Sequence, residues 1–412
     1  MQSLELGITT KYNDVINLVQ QGKSDEAFNI LFETWNVHYK RAISGVFKDE
    51  SEYKYHFEAN AAKMAAYKAS KAKEILMDCL KEKPEKYIAN ARAVLRKFNG
   101  WQRTEYNTIV SRCRTAKQWE KFKEKKDNDP YPNLKWLPTR SAYPRDEHQK
   151  LVGLTLPKNH PFWKENQPGN LWGCKCDWIE TDEPMNAKSL DVNNVKIQAK
   201  GLEGNPGEIR RAFTDSHPYF TKANTQSKKI LDKFLSNHIL TQFKKEDSYL
   251  IHPLVIIEDR KRLKNEAKKK ATKEIKNTQK KDLPELIRIA KIEADKGKKV
   301  YVLPKLHRDS DLYKYIYKSR NAYENKCPDF MINGVFYEYE SYEDNFSINT
   351  LSNMMSRGFK QAKNIIIDGS RKRIGIADVK NKVSDFLESE TFKGEILSVW
   401  IFDGNDVFKA YP

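Results

Sequence analysis

The chain has 412 residues, of which 32% are charged and 39% hydrophobic, and its formal net charge is +18. This length predicts two or three globular domains, each able to bury a core. The basic balance favours a polyanionic partner such as nucleic acid, or an acidic protein surface, although a soluble protein rich in lysine has the same composition. The five cysteines are irregularly spaced, which argues against a secreted disulfide framework.

The first residues lack the basic and apolar regions of a signal peptide, and no run approaches about 18 consecutive apolar residues. We therefore expect no signal peptide, no transmembrane helix and no membrane partner. We expect the protein to be made in a reducing cytoplasm and kept there or packed in a particle assembled there.

Apolar residues at helical spacing predict a mainly helical region over 12–125. Eight prolines and four tryptophans crowd residues 127–185, which predicts a compact segment of loops and short strands without long helices. Residues 186–257 show no clear periodicity apart from one expected helix at 224–244.

Residues 258–282 form a basic linker or helix in this reading. Eleven lysines and arginines stand against four acidic residues between 258 and 281. Such a run is typical of a solvated helix face or a tether, and a contact with nucleic acid is the alternative.

The remainder of the chain, 283–412, predicts a small α/β domain with a mixed or antiparallel sheet, so that the whole chain belongs to the α+β class. Asn333-Gly334 between two apolar runs is a strong hairpin signal. The expected elements are helix 283–296, strands 299–303, 330–332 and 335–339, helix 347–363, strand 364–368, helix 377–389, and a terminal hairpin of strands 397–402 and 407–411.

Five sequence blocks between about 101 and 185 follow one another in a characteristic order. They are Arg103-Thr104-Glu105, Trp136, Arg145-x-x-His148-x-x-Leu151-x-Gly153, Pro161-Phe162 and Cys174-Lys175-Cys176. In order and spacing they resemble the phage Mu F-like minor head (head morphogenesis) family. The resemblance implies that residues 1–185 form a head-morphogenesis region, that 186–257 connects it to the rest, and that the protein is a minor capsid protein of the virion. Its implied partners are phage portal or capsid proteins and packaged DNA.

The closing Cys-x-Cys block raises the question of a metal site. Many members of the resembling family carry a histidine shortly before it, where this chain has Asn170 and Trp172. We therefore predict no metal. The weaker alternative is Zn²⁺ bound by Cys174, Cys176 and His148.

Residues 284–412 resemble the C-terminal toxin domains of contact-dependent inhibition proteins and phage-borne nucleases of the barnase–EndoU–colicin–RelE group. The segments that carry the resemblance are 297–304, 328–334, 338–340 and 359–368. Fusion of such a toxin to a Mu F-like head is a known arrangement. The resemblance implies an endonuclease effector, with RNA and specifically tRNA as the favoured substrate and an immunity protein as a further partner. The alternative is a purely structural head-assembly protein whose tail binds nucleic acid without catalysis.

Two mechanisms remain open for the predicted nuclease. A cofactor-free ribonuclease needs a base, an acid and cations on the phosphate. The candidate catalytic residues are Asp329, Glu338, Glu340, Lys360, Gln361 and His307. The candidate nucleic-acid-binding residues are Lys363, Arg371, Lys372, Arg373 and Trp400, with Trp400 stacking on a base.

The second mechanism places Mg²⁺ on Asp329, Glu338 and Glu340, as in the PD-(D/E)xK nucleases. Side chains alternate along a strand, so Glu338 and Glu340 share one face. That motif expects a lysine at position 340, where this chain has glutamate. Each candidate also has a simpler reading, as a turn cap, a solvent-facing strand residue or a helix-surface lysine.

Overall fold

The computed structural model describes residues 2–48, 51–123, 129–187, 190–271, 283–341, 348–370, 376–388 and 398–411. The chain forms two compact units, Met1–Leu235 with Ser310–Leu312, and Ser236–Asp309 with Tyr313–Pro412. The first is mainly helical and the second contains a mixed sheet. The predicted α+β class is confirmed.

The first unit begins with four helices that pack on a core of large aromatic side chains, among them Trp35, Phe57 and Tyr87. Inside this core Lys68 Nζ lies 2.5 Å from Glu105 Oε2, and both side chains are buried. The described elements of the unit are helices α1 (Gln2–Gln20), α2 (Ser24–Val46), α3 (Glu52–Glu82) and α4 (Tyr87–Phe122), strand β1 (Asn133–Leu137), helix α5 (Asp146–Gln149), strand β2 (Thr155–Pro157), helix α6 (Phe162–Glu165), strand β3 (Asp177–Thr181), helices α7 (Pro206–Ile209) and α8 (Pro218–Lys222), and most of α9 (Thr225–Leu240).

The proline- and tryptophan-rich segment folds as predicted into short strands and loops. Strands β2, β1 and β3 form an antiparallel sheet in that order. Trp136, Trp163 and Trp178 are fully buried beside it with Leu134 and Leu156. The tryptophans thus supply a core that the short elements could not build from small residues.

The region 186–235 packs on helix α4 through one buried arginine. Arg112 donates to the backbone carbonyls of Leu202 and Gly204 and to the side chain of Asn170. Burial lowers the pKa of Arg112 to about 9, although Glu203 partly opposes this. Because these carbonyls and the Asn170 amide accept from both terminal nitrogens of the guanidinium, Arg112 ties the loops to α4 where they have no regular secondary structure.

The second unit is built on an eight-stranded sheet of order β11-β10-β9-β8-β7-β6-β5-β4. Its described elements are strands β4 (Lys244–Glu246) and β5 (Tyr249–Ile251), helices α10 (Pro253–Ala271) and α11 (Leu283–Asp295), strand β6 (Val300–Val302), helix α12 (Asp311–Ile316), strands β7 (Phe330–Ile332) and β8 (Val335–Glu340), helix α13 (Ile348–Gly358), strand β9 (Asn364–Asp368), helix α14 (Ile376–Glu388), and strands β10 (Ser398–Phe402) and β11 (Val407–Tyr411). Strands β8, β9 and β10 are parallel to one another, and β5 is parallel to β6. The remaining neighbours are antiparallel.

Helices cover both faces of this sheet. Leu286 and Ile289 of α11 pack on one face with Ile366. Leu351 of α13 and Val383 of α14 pack on the other face with Ile365 and Val399 among others. Within the described residues, no helix has the length and apolar character needed to span a bilayer.

Two predicted elements need comment. Helix α13 ends at Gly358 rather than at 363, because this glycine lies against β9 and the backbone turns there into the strand. The basic stretch 258–282 lies in helix α10 as far as Ala271, and residues 272–282 fall outside the described part of the chain.

Candidate active site

A tight hairpin brings the first two candidate carboxylates together. Asn333 (φ 48°) and Gly334 (φ 84°) both adopt positive φ, as a two-residue turn of the I′ type requires. The resulting register pairs Phe330 with Tyr337, which sets Asp329 beside Glu338 at the end of the hairpin. The backbone amide of Tyr339 donates to Asp329 Oδ2 at 3.0 Å and fixes that carboxylate.

A lysine from a neighbouring segment joins these carboxylates. Lys305, which follows β6, lies with its Nζ 2.8 Å from Asp329 Oδ1 and 3.7 Å from Glu338 Oε1. Its Nζ also donates to the carbonyl of Cys327 at 2.7 Å. Partial burial alone would lower the pKa of Lys305, but the Asp329 and Glu338 carboxylates raise it, so the ammonium stays charged.

One buried tyrosine lies between the two segments that carry this pair. Tyr317 donates its hydroxyl to the carbonyl of Pro304 at 2.6 Å, and the carbonyl of Pro328 lies 3.4 Å away. These prolines immediately precede Lys305 and Asp329. The segment that carries the lysine is therefore anchored to the core beside the segment that carries the aspartate.

Glu338 is placed in an environment that disfavours its charge. Its side chain is only 11% exposed, and its buried Oε2 has no hydrogen-bond partner among the described residues. Burial, followed by the Asp329 carboxylate, raises the pKa of Glu338 to about 9, against the opposing attraction of Lys305. Without a further cation, this side chain is therefore a neutral acid at pH 7.

Glu340 lies two residues further along the same face of β8. Burial raises the pKa of Glu340 to about 7, while the Arg357 guanidinium of helix α13, 3.2 Å from Glu340 Oε2, opposes that shift. The Cγ of Glu340 also packs against Gly358 at the end of α13. A carboxyl group with a pKa near neutrality can accept or release a proton at physiological pH.

The cluster therefore combines an ammonium group with three carboxyl groups of different character. Asp329 is held by Lys305 and a backbone amide, Glu338 is protonated at neutral pH, and Glu340 titrates near neutrality. Groups of this kind can position a phosphate, donate a proton and accept one. The oxygens of Asp329 and Glu338 are also suitable ligands for a hard divalent cation.

Comparison with known proteins adds information on this part of the chain. Residues 326–407 match the family model of the contact-dependent growth inhibition CdiA C-terminal domain. The match indicates a toxin effector domain at the C-terminus. No curated protein and no solved structure matches the chain.

The matched segment includes all three candidate carboxylates but begins after Lys305. Asp329, Glu338 and Glu340 lie inside the segment similar to the CdiA C-terminal domain, whereas Lys305 and His307 precede it. Strand β6, after which Lys305 lies, is nevertheless paired with β7 of that segment. The cluster thus spans more of the chain than the match covers.

The other predicted catalytic residues lie in the loop after β6 and in the turn after α13. His307 is 54% exposed, and its Nδ1 is 3.7 Å from Asp309 Oδ2 in the loop after β6. Lys360 is exposed and Gln361 is half-buried in the turn after α13, where the amide of Gln361 donates to the carbonyl of Gly358. This turn is adjacent to the helix end that packs on Glu340.

The predicted stacking role of Trp400 does not agree with its position. Trp400 is buried in β10, its ring 4.5 Å from that of Tyr337 and 4.3 Å from Lys298 Nζ. It faces helix α11 in the core, so it has no free ring face for a base. Lys363 is half-buried immediately before β9, and Arg371, Lys372 and Arg373 lie outside the described residues.

Sequence reasoning missed Lys305 as a site residue. The available signal was its position directly after a short buried strand, where functional side chains often collect. The same signal selected His307, two residues further on. The structure also brings together the three residues of the weaker metal alternative, Cys174, Cys176 and His148, in the first unit.

Proposed function

We propose that the C-terminal domain is a nuclease effector that cleaves RNA, with tRNA as the favoured substrate, and that a phage minor head protein carries it. The observation on which the nuclease proposal rests is the contact of Lys305 with Asp329 and Glu338, beside Glu340. An ammonium ion among carboxyl groups is a common arrangement in sites that bind and cleave a phosphodiester.

Lys305 supplies the cation that the PD-(D/E)xK motif would place at position 340. Phosphodiester cleavage increases negative charge on the phosphate oxygens, and a positioned ammonium group stabilises that charge. The side chain is 53% exposed, so its Nζ can reach a bound phosphate without leaving the cluster. The glutamate at position 340 can then accept or release a proton.

Of the three expected Mg²⁺ ligands, Asp329 and Glu338 are the pair that could hold a divalent cation, since among the described residues Glu340 does not join them within ligand distance. Glu338 Oε2 is buried without a hydrogen-bond partner among the described residues, and a buried carboxylate oxygen is costly unless something binds it. Asp329 and Glu338 would hold Mg²⁺, which when bound polarises the phosphate and lowers the pKa of bound water. Glu340 accepts the proton of the attacking nucleophile, and Lys305 orients the phosphate.

A metal-independent ribonuclease could use the same residues. The pKa values of about 9 for Glu338 and about 7 for Glu340 suit a general acid and a general base. In that case Glu340 takes the proton of the ribose 2′-hydroxyl and Glu338 gives one to the leaving oxygen. Removal of divalent cations distinguishes the two versions.

Charge supports a polyanionic substrate. The chain carries +18 overall, and exposed cations lie on the segments that border the cluster, such as Arg308 after β6 and Lys360 after α13. Such side chains attract the phosphate backbone and make binding dependent on salt.

The proposed head function rests on the N-terminal sequence blocks. Trp136 and Leu151, taken from two of these blocks, are buried together in the tryptophan-rich segment, and His148 packs on the Trp136 ring. This packing supports a common structural purpose for the blocks. Portal or capsid proteins are the proposed partners, and the virion is the proposed location.

Growth of bacteria that produce the full chain tests the effector proposal. Induction should stop growth and fragment tRNA, whereas Asp329→Asn should restore growth at equal protein level. Lys409→Ala is the matched control, because Lys409 is exposed on β11 at the opposite end of the sheet from β4 and three strands from β8. Equal growth arrest by wild type and Asp329→Asn would contradict the proposal, as would normal growth with intact tRNA in cells that contain soluble wild-type protein.

A further inference from the structure

Three potential metal ligands converge in the tryptophan-rich segment of the first unit. His148 of helix α5 is buried, and its Nδ1 lies 3.2 Å from Cys176 Sγ and 3.4 Å from Cys174 Sγ. All three ligand atoms lie within 4.8 Å of one another. Both cysteines are free of disulfide bonds.

We propose that His148, Cys174 and Cys176 bind a zinc ion that cross-links this segment. The two sulfurs and one imidazole nitrogen are the ligand types that Zn²⁺ prefers, and hard cations such as Mg²⁺ and Ca²⁺ prefer oxygen. The proposal concerns a different site and a different unit from the nuclease cluster, and it does not depend on the proposed function.

The spacing of the three atoms agrees with tetrahedral zinc. Zn–S bonds of about 2.3 Å and Zn–N bonds of about 2.1 Å at tetrahedral angles put neighbouring sulfur and nitrogen ligands about 3.6 Å apart. The observed separations of 3.2 and 3.4 Å need only a small expansion to admit the ion.

Hydrogen bonding alone accounts poorly for this convergence. Nδ1 of His148 carries either one proton or one lone pair, so it can make one good hydrogen bond along its axis. Two sulfur atoms nevertheless point to it. The edge of the Trp136 ring packs against the imidazole, with ring centroids 5.4 Å apart, and holds His148 in this orientation. A shared cation explains why both thiols and the ring face one point.

The fourth position belongs to solvent. Cys174 and Cys176 line an open cavity together with Arg140 and Asp177. Asp177 is already engaged, since Gln118 Nε2 donates to its Oδ1 at 2.9 Å and Arg140 Nη2 lies 2.8 Å from its Oδ2. A water molecule from the cavity would therefore complete the coordination.

The chain between the ligands has little regular secondary structure to stabilise it. The region between the ligands contains helices of four residues and a strand of three, which provide few backbone hydrogen bonds. One ion joining His148 to Cys174 and Cys176 closes a long loop of this irregular chain. Metal binding then contributes directly to the stability of the folded segment.

Metal analysis of the purified full-length chain tests the site. We expect about one zinc per chain, and loss of nearly all of it in His148→Ala and in Cys174→Ser/Cys176→Ser. Cys79→Ser is the matched control, because Cys79 is a partly exposed cysteine of helix α3, and it should keep its zinc. Zinc-free wild type that takes up none when zinc is added would overturn the proposal, and so would unchanged zinc content in the variants.

Cobalt substitution gives a second readout that needs no variant to fold. Co²⁺ replacing zinc in the wild type should give the absorption of a tetrahedral ion and a thiolate-to-cobalt charge-transfer band. A carboxylate site elsewhere in the chain cannot produce that band. Its absence, or a Cys174–Cys176 disulfide in protein kept under reducing conditions, would overturn the proposal.

Discussion

Lys305 Nζ lies 2.8 Å from Asp329 Oδ1, and the Tyr317 hydroxyl donates to the carbonyl of Pro304, the residue before the lysine. The pair comes from two segments whose strands, β6 and β7, are antiparallel neighbours. The pair places a charged ammonium group next to Glu338 and Glu340, two carboxyl groups whose pKa values are raised.

Lys305→Ala should lower RNA cleavage by about 10²–10³-fold, because a positioned cation on the phosphate is lost. The assay is the initial rate of tRNA cleavage by the full chain, with Lys409→Ala as the control that stays at the wild-type rate. A Lys305→Ala enzyme of full activity would show that the lysine is structural.

Glu338 should make the free energy of unfolding depend on pH when divalent cations are absent. Its pKa of about 9 in the folded state exceeds the ordinary value of 4.5, so the folded state holds this proton more tightly than the unfolded state. Stability attributable to the group is full below pH 4.5 and is lost as pH rises towards 9. Glu338→Gln should therefore stabilise the C-terminal unit at pH 8, by about 1–3 kcal/mol, and have little effect at pH 4.5.

Urea unfolding at the two pH values, in the presence of a chelator, measures this difference. Glu246→Gln is the matched control, because Glu246 is an exposed glutamate on the edge strand β4. It should unfold like the wild type at both pH values. A Glu338→Gln variant that is no more stable than wild type at pH 8 would contradict the described environment of Glu338.

Arg357→Ala should shift the pH profile of cleavage. Burial already raises the pKa of Glu340 to about 7, and the Arg357 guanidinium holds it from rising further. Without the arginine the pKa rises, so a larger share of Glu340 is protonated at pH 6–7 and cannot accept a proton. The acidic limb of kcat/KM should move to higher pH, with little change at pH 9.

The matched control for this variant is Lys380→Ala, which removes an exposed cation from helix α14. Its pH profile should coincide with that of the wild type. A profile of Arg357→Ala that falls equally at every pH would indicate loss of substrate binding instead of a shifted pKa.

Gly358→Ala should destabilise the C-terminal unit, although alanine is the better helix former by about 1 kcal/mol. A Cβ at this position would lie 2.7 Å from Ile365 Cγ2 and 3.1 Å from Glu340 Cγ. Relief of these contacts must separate α13 from the sheet, at a cost of about 1–3 kcal/mol. The thermal unfolding midpoint should fall together with activity, since Glu340 moves. A raised midpoint would mean that α13 does not pack as described.

Much of the second unit could be predicted because its signals are local. Strand β9 has the predicted bounds, Asn364–Asp368, since a run of isoleucines bounded by polar residues specifies a buried strand. The Asn333-Gly334 hairpin fixed the register that joins Asp329 to Glu338. Both inferences needed only a few neighbouring residues.

The missed features depend on contacts between distant segments. Lys305 meets Asp329, 24 positions further along the chain, only because β6 pairs with β7, and no local pattern shows this. Trp400 was predicted to stack on a base, but helices cover both faces of the sheet, and alternation along β10 cannot reveal that. The convergence of His148 with the Cys-x-Cys block is likewise a tertiary contact.

Cleavage of tRNA by the purified full chain tests the central claim most directly. The wild type and Glu338→Gln are incubated with total tRNA and with double-stranded DNA, each with Mg²⁺ and with EDTA, and Lys409→Ala serves as control. The account predicts that wild type and Lys409→Ala cut tRNA with Mg²⁺, and that EDTA and Glu338→Gln both abolish cutting. Cutting that survives EDTA but not Glu338→Gln would select the metal-independent version. Intact tRNA and DNA under every condition, or undiminished cutting by Glu338→Gln, would contradict the claim that this cluster is a nuclease centre.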